Sequence, residues 1–120
     1  MRTFRSTAVL LLAIAGCSRS ISIVLPAHSL TVLVYSQGKV AQRCAIVPGS
    51  EKFKSLSQLM QQNAAGWHSR SANYVPSIVV IGPDVNLYFM DDSMVVNYSG
   101  GEYSRTISAD AYKFLECKST

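Results

Sequence analysis

Few side chains in this sequence of 120 residues could do chemistry beyond packing: two histidines, His28 and His68, and three cysteines, Cys17, Cys44 and Cys117. A histidine base needs a nucleophile within hydrogen-bond reach and an orienting carboxylate. Ser69 and Ser71 flank His68, but sequence neighbours rarely form such a set, and no G-x-S-x-G elbow presents a serine. Asp84, Asp91 and Asp92 stand among turn residues, without the spacing of a calcium loop or a Cys/His ligand pair. Gly100-Gly101 reads as a hairpin turn, not a phosphate loop. The expectation is a protein that is not an enzyme and takes neither metal nor cofactor.

Aromatic residues point elsewhere. Trp67, Tyr74, Tyr88, Tyr98, Tyr103 and Tyr112 all lie in the second half. Trp, Tyr and Arg are enriched at interfaces because they combine large rigid contact area with a polar handle. Trp67, His68, Arg70, Asn73 and Tyr74 fall together in an aperiodic stretch of ten residues, 67–76 (WHSRSANYVP). They are the expected contact residues for a protein partner. Packing is the competing use of Trp67 and Tyr74, which could simply pin the loop.

The start of the chain carries an address. Arg2 and Arg5 precede a continuous apolar run over residues 8–15 (AVLLLAIA), and small residues follow. A positive end, a short apolar run and a small-residue exit make a secretory signal. Spanning a bilayer takes roughly 20 apolar residues, and Arg19 interrupts this run well before that. Ile14-Ala15-Gly16-Cys17 resembles the bacterial lipobox, an aliphatic residue and two small ones before the cysteine that is lipidated. The resemblance covers the leader alone. It implies a signal peptide over 1–16 and an acylated Cys17 as the new N-terminus. More than one acyl chain, at about 0.8 kcal/mol per buried methylene, gives firm anchoring. Ser18 after the cysteine implies outer-membrane sorting in a Gram-negative cell, facing the periplasm. Ordinary cleavage after Ala15 is the alternative, because Ala13-Ile14-Ala15 also reads as A-x-A.

Of the eleven basic residues, Arg2 and Arg5 belong to the leader, leaving nine against seven acidic ones. No basic patch or stripe of the kind nucleic-acid binding requires stands out. With Cys17 lipidated, Cys44 and Cys117 remain. An even count in an oxidising space predicts one disulfide; the alternative is two buried thiols.

The elements that position these residues follow from periodicity. Residues 17–29 read as a tether whose one apolar patch, residues 21–25, is free to pack or to join a sheet. Residues 30–35 (LTVLVY) and 40–47 form a hairpin about Ser36-Gln37-Gly38-Lys39. Ser50 caps an amphipathic helix over 51–65, with Phe53, Leu56, Leu59, Met60 and Ala64 on one face and Gly66 as its stop. Four short strands, 77–81, 85–90, 94–98 and 103–107, joined by turn residues, form an antiparallel meander. Ser108 caps a short helix over 109–117. The expected fold is one α+β domain over 30–120, with an antiparallel sheet, helices on one face and one disulfide.

A small disulfide-stapled domain on a lipid anchor, without a catalytic set, is similar in plan to periplasmic immunity and lysozyme-inhibitor lipoproteins. The expected function is therefore a non-catalytic protein-binding module of the envelope, an inhibitor or immunity protein against a secreted effector. The alternative is an accessory lipoprotein of envelope or secretion-system assembly.

Overall fold

The computed structural model describes residues 18–69 and 74–118. The leader over 1–16, the lipidation residue Cys17 and two contact candidates, Arg70 and Asn73, lie outside the described residues. The rest is an α+β domain: a seven-stranded antiparallel sheet, one α-helix and a 3₁₀-helix.

The sheet starts with the expected hairpin. β1 (Leu30–Ser36) pairs with β2 (Lys39–Ile46) through a two-residue turn. Gln37 and Gly38 both take positive φ, 53° and 79°, which is the turn geometry whose twist matches that of paired strands. The meander follows: β4 (Ile78–Ile81), β5 (Val85–Met90), β6 (Ser93–Tyr98) and β7 (Gly101–Thr106). β4 docks beside β1, and a two-residue strand, β3 (His68–Ser69), pairs on the far side of β7. The resulting order is β2-β1-β4-β5-β6-β7-β3.

Alternation sends one set of side chains to the helices. Cys44, Val32, Val80, Leu87, Val96 and Tyr103 form one continuous register row on that face. α1 (Glu51–Gln62) covers it with buried Leu56, Leu59 and Met60. The Ser50 hydroxyl accepts from the Phe53 N–H at 3.2 Å and starts the helix as expected. The helix stops three residues short of the expected end because Asn63 caps it, its side-chain amide donating to the Leu59 carbonyl at 2.8 Å. The 3₁₀-helix (Ala109–Leu115) lies alongside, its Tyr112 ring 5.0 Å from Phe89 and its hydroxyl donating to the Asp91 carbonyl at 2.8 Å. The Cys44–Cys117 disulfide, with its α-carbons 5.8 Å apart, joins the segment after that helix to β2.

The carbonyls beyond a helix end need partners, and here three different parts of the chain supply them. The Trp67 indole N–H and the Arg105 guanidinium donate to the Asn63 carbonyl at 2.8 and 3.1 Å. Arg105 also donates to the Ala65 carbonyl, while the Ile21 N–H takes the Ala64 carbonyl at 2.7 Å. A cation at a helix C-terminus is favoured by the dipole as well.

That last contact shows what the apolar patch of the tether does: it packs, and residues 19–25 are part of the folded body. Arg19 exchanges both backbone hydrogen bonds with Trp67, at 2.9 and 3.0 Å. Ile21 and Leu25 are buried in the core, with Ser22 and Val24 facing out. The segment behaves as a strap across the ends of the strands on the helix side.

Candidate functional site

The connection from β3 to β4 has a topological task. β3 is the outer edge, whereas β4 lies between β1 and β5, so the chain must pass β7, β6 and β5 to reach its place. The described part of the connection places Tyr74 on the sheet face opposite the helices. The Tyr74 hydroxyl donates to the Glu102 carboxylate on β7 at 2.8 Å. Its ring meets Tyr88 of β5 edge-on, with centroids 5.0 Å apart and planes at 61°. The Asn86 side-chain amide reaches the Tyr88 hydroxyl at 3.5 Å. Beneath and beside this latch, Val95, Val79, Leu33 and Met90 are buried on the same face.

One register row on this open face runs Arg43, Leu33, Val79, Tyr88, Val95, Ser104 and His68. It therefore presents a guanidinium at one end, a tyrosine pair in the middle and an imidazole at the other. Val75, next to the latch, is 78% exposed, and Ile81 adds partly exposed apolar surface on the same face. Fixed aromatic groups with apolar and polar neighbours are the ingredients of a protein-contact surface.

The expected contact residues divide. Trp67 is fully buried, at 0% exposure, and presents no surface to a partner in this fold; it anchors the loop. His68 is exposed on the edge strand, and Tyr74 is half-buried on the open face. Tyr88, one of the meander tyrosines noted in the sequence, joins them, and so do Glu102, Arg43 and Val75, which the sequence did not single out. Their signal was the even-residue alternation of the strands, which puts Tyr88 and Glu102 on the face away from the core once the helix is assigned its side. His28 is exposed and stands apart, before β1.

Among the described residues no three His, Cys, Asp or Glu side chains group as metal ligands would. No helix there is long and apolar enough to cross a membrane. A cleft of about 160 Å³ opens between the strap and the β5–β6 end, lined by Ser22, Ile23, Val24, Pro26, Asp84, Val85, Tyr98 and Ser99. Pockets that enclose a drug-sized ligand run to roughly 300–1,000 Å³, so this cleft is small for such a ligand.

Burial raises the Tyr74 pKa above the usual tyrosine value, and the hydrogen bond to the Glu102 carboxylate raises it further. A phenolate there would lose its role as donor and face a carboxylate. Because the native pKa exceeds the unfolded one, the stabilisation is fully present below about pH 10 and is lost as pH rises through the native value. Unfolding by denaturant at neutral pH and at about pH 11 is the test. Wild type is expected to lose more stability over that interval than Tyr74→Phe, which lacks the ionising group. An equal loss in both proteins would mean that Tyr74 ionises as freely in the native state as in the unfolded chain. At neutral pH the Phe variant is expected to be about 1 kcal/mol less stable, the size of one hydrogen bond at a half-exposed site.

No family model, curated protein or solved structure matches this chain; the functional reading rests on the open face itself.

Proposed function

We propose that this chain is an exported envelope lipoprotein, anchored through Cys17, that acts as a non-catalytic protein-binding module. The reading favoured here is an inhibitor or immunity protein that engages a secreted antibacterial effector. One observation carries the binding proposal: the β3–β4 connection is latched across the sheet by Tyr74 on Tyr88 and Glu102, with Val75 78% exposed beside it. A Tyr74 side chain fixed in this way has already lost much of its conformational freedom, so docking against it costs less entropy. The leader supports the address, and the single disulfide agrees with folding in an oxidising space.

The test is capture of partners from envelope and culture supernatant with the mature protein, beside a Val75→Asp/His68→Ala variant. Both side chains are exposed, so the melting temperature should hold. The expected result is a partner retained by wild type and bound at least about tenfold more weakly by the variant, the loss of roughly 1.4 kcal/mol that a modest hot spot carries. Equal retention by both proteins would remove the open face from consideration.

A second reading, an accessory lipoprotein of envelope or secretion-system assembly, draws on β2. That strand ends the sheet, with Lys39, Val40, Ala41, Arg43 and Ala45 exposed along it. An unpaired edge can accept a strand from a partner. Enzyme activity inhibited by the captured complex favours the first reading; an assembly component recovered on the β2 edge favours the second.

A further inference from the structure

We infer that the N-terminal strap seats the domain flush on a lipid bilayer, with the β3 edge of the sheet toward the headgroups and the β2 edge pointing away. The inference rests on the lipid-anchor reading above and adds an orientation to it.

Arg19 is firmly held close to the anchor position. Both of its backbone hydrogen bonds go to Trp67, immediately before β3. In a strand, successive residues direct their backbone groups to opposite sides. Trp67 therefore bonds outward to Arg19, while His68 bonds inward to β7 opposite Ser104. Arg19 thus occupies an added position beyond the sheet's outer strand. Its guanidinium is fixed as well, donating to the Tyr103 hydroxyl at 3.0 Å and lying 5.1 Å from the centre of that ring. Two residues further along, the Ile21 N–H is held by the Ala64 carbonyl and the Ile21 side chain is buried.

Chain reach then decides between two arrangements. A free linker from Cys17 to the start of β1 would let the domain stray up to roughly 45 Å from its lipid. With Arg19 locked, two Cα-to-Cα steps separate it from Cys17, which is at most about 7 Å of chain. An acylated cysteine sits where headgroups meet acyl chains, so the edge that carries Arg19 has to lie at the membrane surface. Arg19 is exposed there and can face lipid phosphates, each such contact favouring an anionic surface. Across the sheet, six strand spacings of about 4.8 Å put β2 roughly 30 Å from that edge. The open face with Tyr74 and Tyr88 then stands side-on to the bilayer, reachable by a partner in the aqueous space.

The experiment uses the full chain, processed in a Gram-negative host and reconstituted into phosphatidylethanolamine–phosphatidylglycerol vesicles. A fluorophore is attached at Ser69→Cys on β3 or at Lys39→Cys on β2, both exposed positions. Vesicles with nitroxide-bearing headgroups supply the quencher. The expected result is loss of most emission at position 69 and little at position 39. In an Arg19→Pro background, where the N–H to the Trp67 carbonyl is gone, quenching at 69 is expected to fall toward the value at 39. Near-equal quenching at the two sites, in protein that floats with vesicles and carries a diacylglyceryl Cys17 by mass, overturns the seated orientation and leaves the anchor standing. Protein that lacks the lipid by mass and fails to float overturns both.

Discussion

Replacing Trp67 with alanine is expected to lower the free energy of unfolding by about 3–5 kcal/mol, the cost of emptying a large buried aromatic site. Trp67 heads the fully buried side chains by volume. The loss would not be confined to one cavity. Its indole N–H donates to the Asn63 carbonyl at the end of α1, and its backbone holds Arg19 of the strap. Helix end, sheet edge and strap therefore loosen together. Trp67→Phe keeps part of the ring volume and drops the indole donor. Arg105 still donates to the Asn63 carbonyl, so the Phe variant is expected to cost about 1–2 kcal/mol. The chain has one tryptophan, so wild-type unfolding can be followed by its fluorescence and the variants by far-ultraviolet circular dichroism. A loss under about 1 kcal/mol in Trp67→Ala, within the range of an ordinary surface substitution, would return this residue to the list of contacts.

Trp67 also marks the limit of what its sequence neighbourhood can tell. A tryptophan beside His68, Arg70, Asn73 and Tyr74 has the composition of a contact loop. The same residue type fills cores, because a large apolar body with one donor suits both places. The decision depends on Arg19, remote in the chain until it folds, and on the helix end that leaves the Asn63 carbonyl, four residues earlier, in need of a donor. The hairpin, the Ser50 cap and the four meander strands were legible because each is written in local periodicity or turn chemistry. β3 was not, since two residues carry no period and take their conformation from β7. The strap lay between these cases. Ile21, Ile23 and Leu25 alternate with Ser22 and Val24, a period-two signal visible in the chain. It marks the patch as one that can pack, but nothing local says that the carbonyl of Ala64 awaits Ile21.

The same distinction separates the two halves of the candidate site. Tyr74 was legible as a loop tyrosine, but its partners Tyr88 and Glu102 come from strands 14 and 28 residues later. Their meeting follows from strand order, since the connection to β4 has to cross those strands. A latch of this kind is a consequence of topology first and residue type second. Variants at Glu102 are therefore informative only when the sheet itself remains intact.

Removing the disulfide, in a Cys44→Ala/Cys117→Ala variant, is expected to cost about 4 kcal/mol on the chain-entropy estimate for a cross-link spanning 73 residues. For a domain of this size that corresponds to a fall in melting temperature of roughly 15–30 °C. The double substitution avoids leaving a lone thiol to form intermolecular bridges. Two readouts separate the possible origins of the loss. If the bridge acts by restricting the unfolded chain, its removal lets that chain expose more surface, and the denaturant m-value rises along with the fall in stability. If it acts by holding the 3₁₀-helix on the native fold, the m-value stays constant and amide exchange quickens over residues 109–117 while the protein remains folded. The native contacts make the second effect the smaller: Tyr112 is held by the Asp91 carbonyl and Phe89 independently of the sulfurs. A melting temperature within about 5 °C of wild type, the shift of roughly 1 kcal/mol, would mean that the cross-link adds little to the stability of the fold. The bridge closes the sheet at β2, the edge opposite the one that carries Arg19, so its loss is expected to leave the Arg19–Trp67 contact and the Tyr74 latch unchanged while the native state persists.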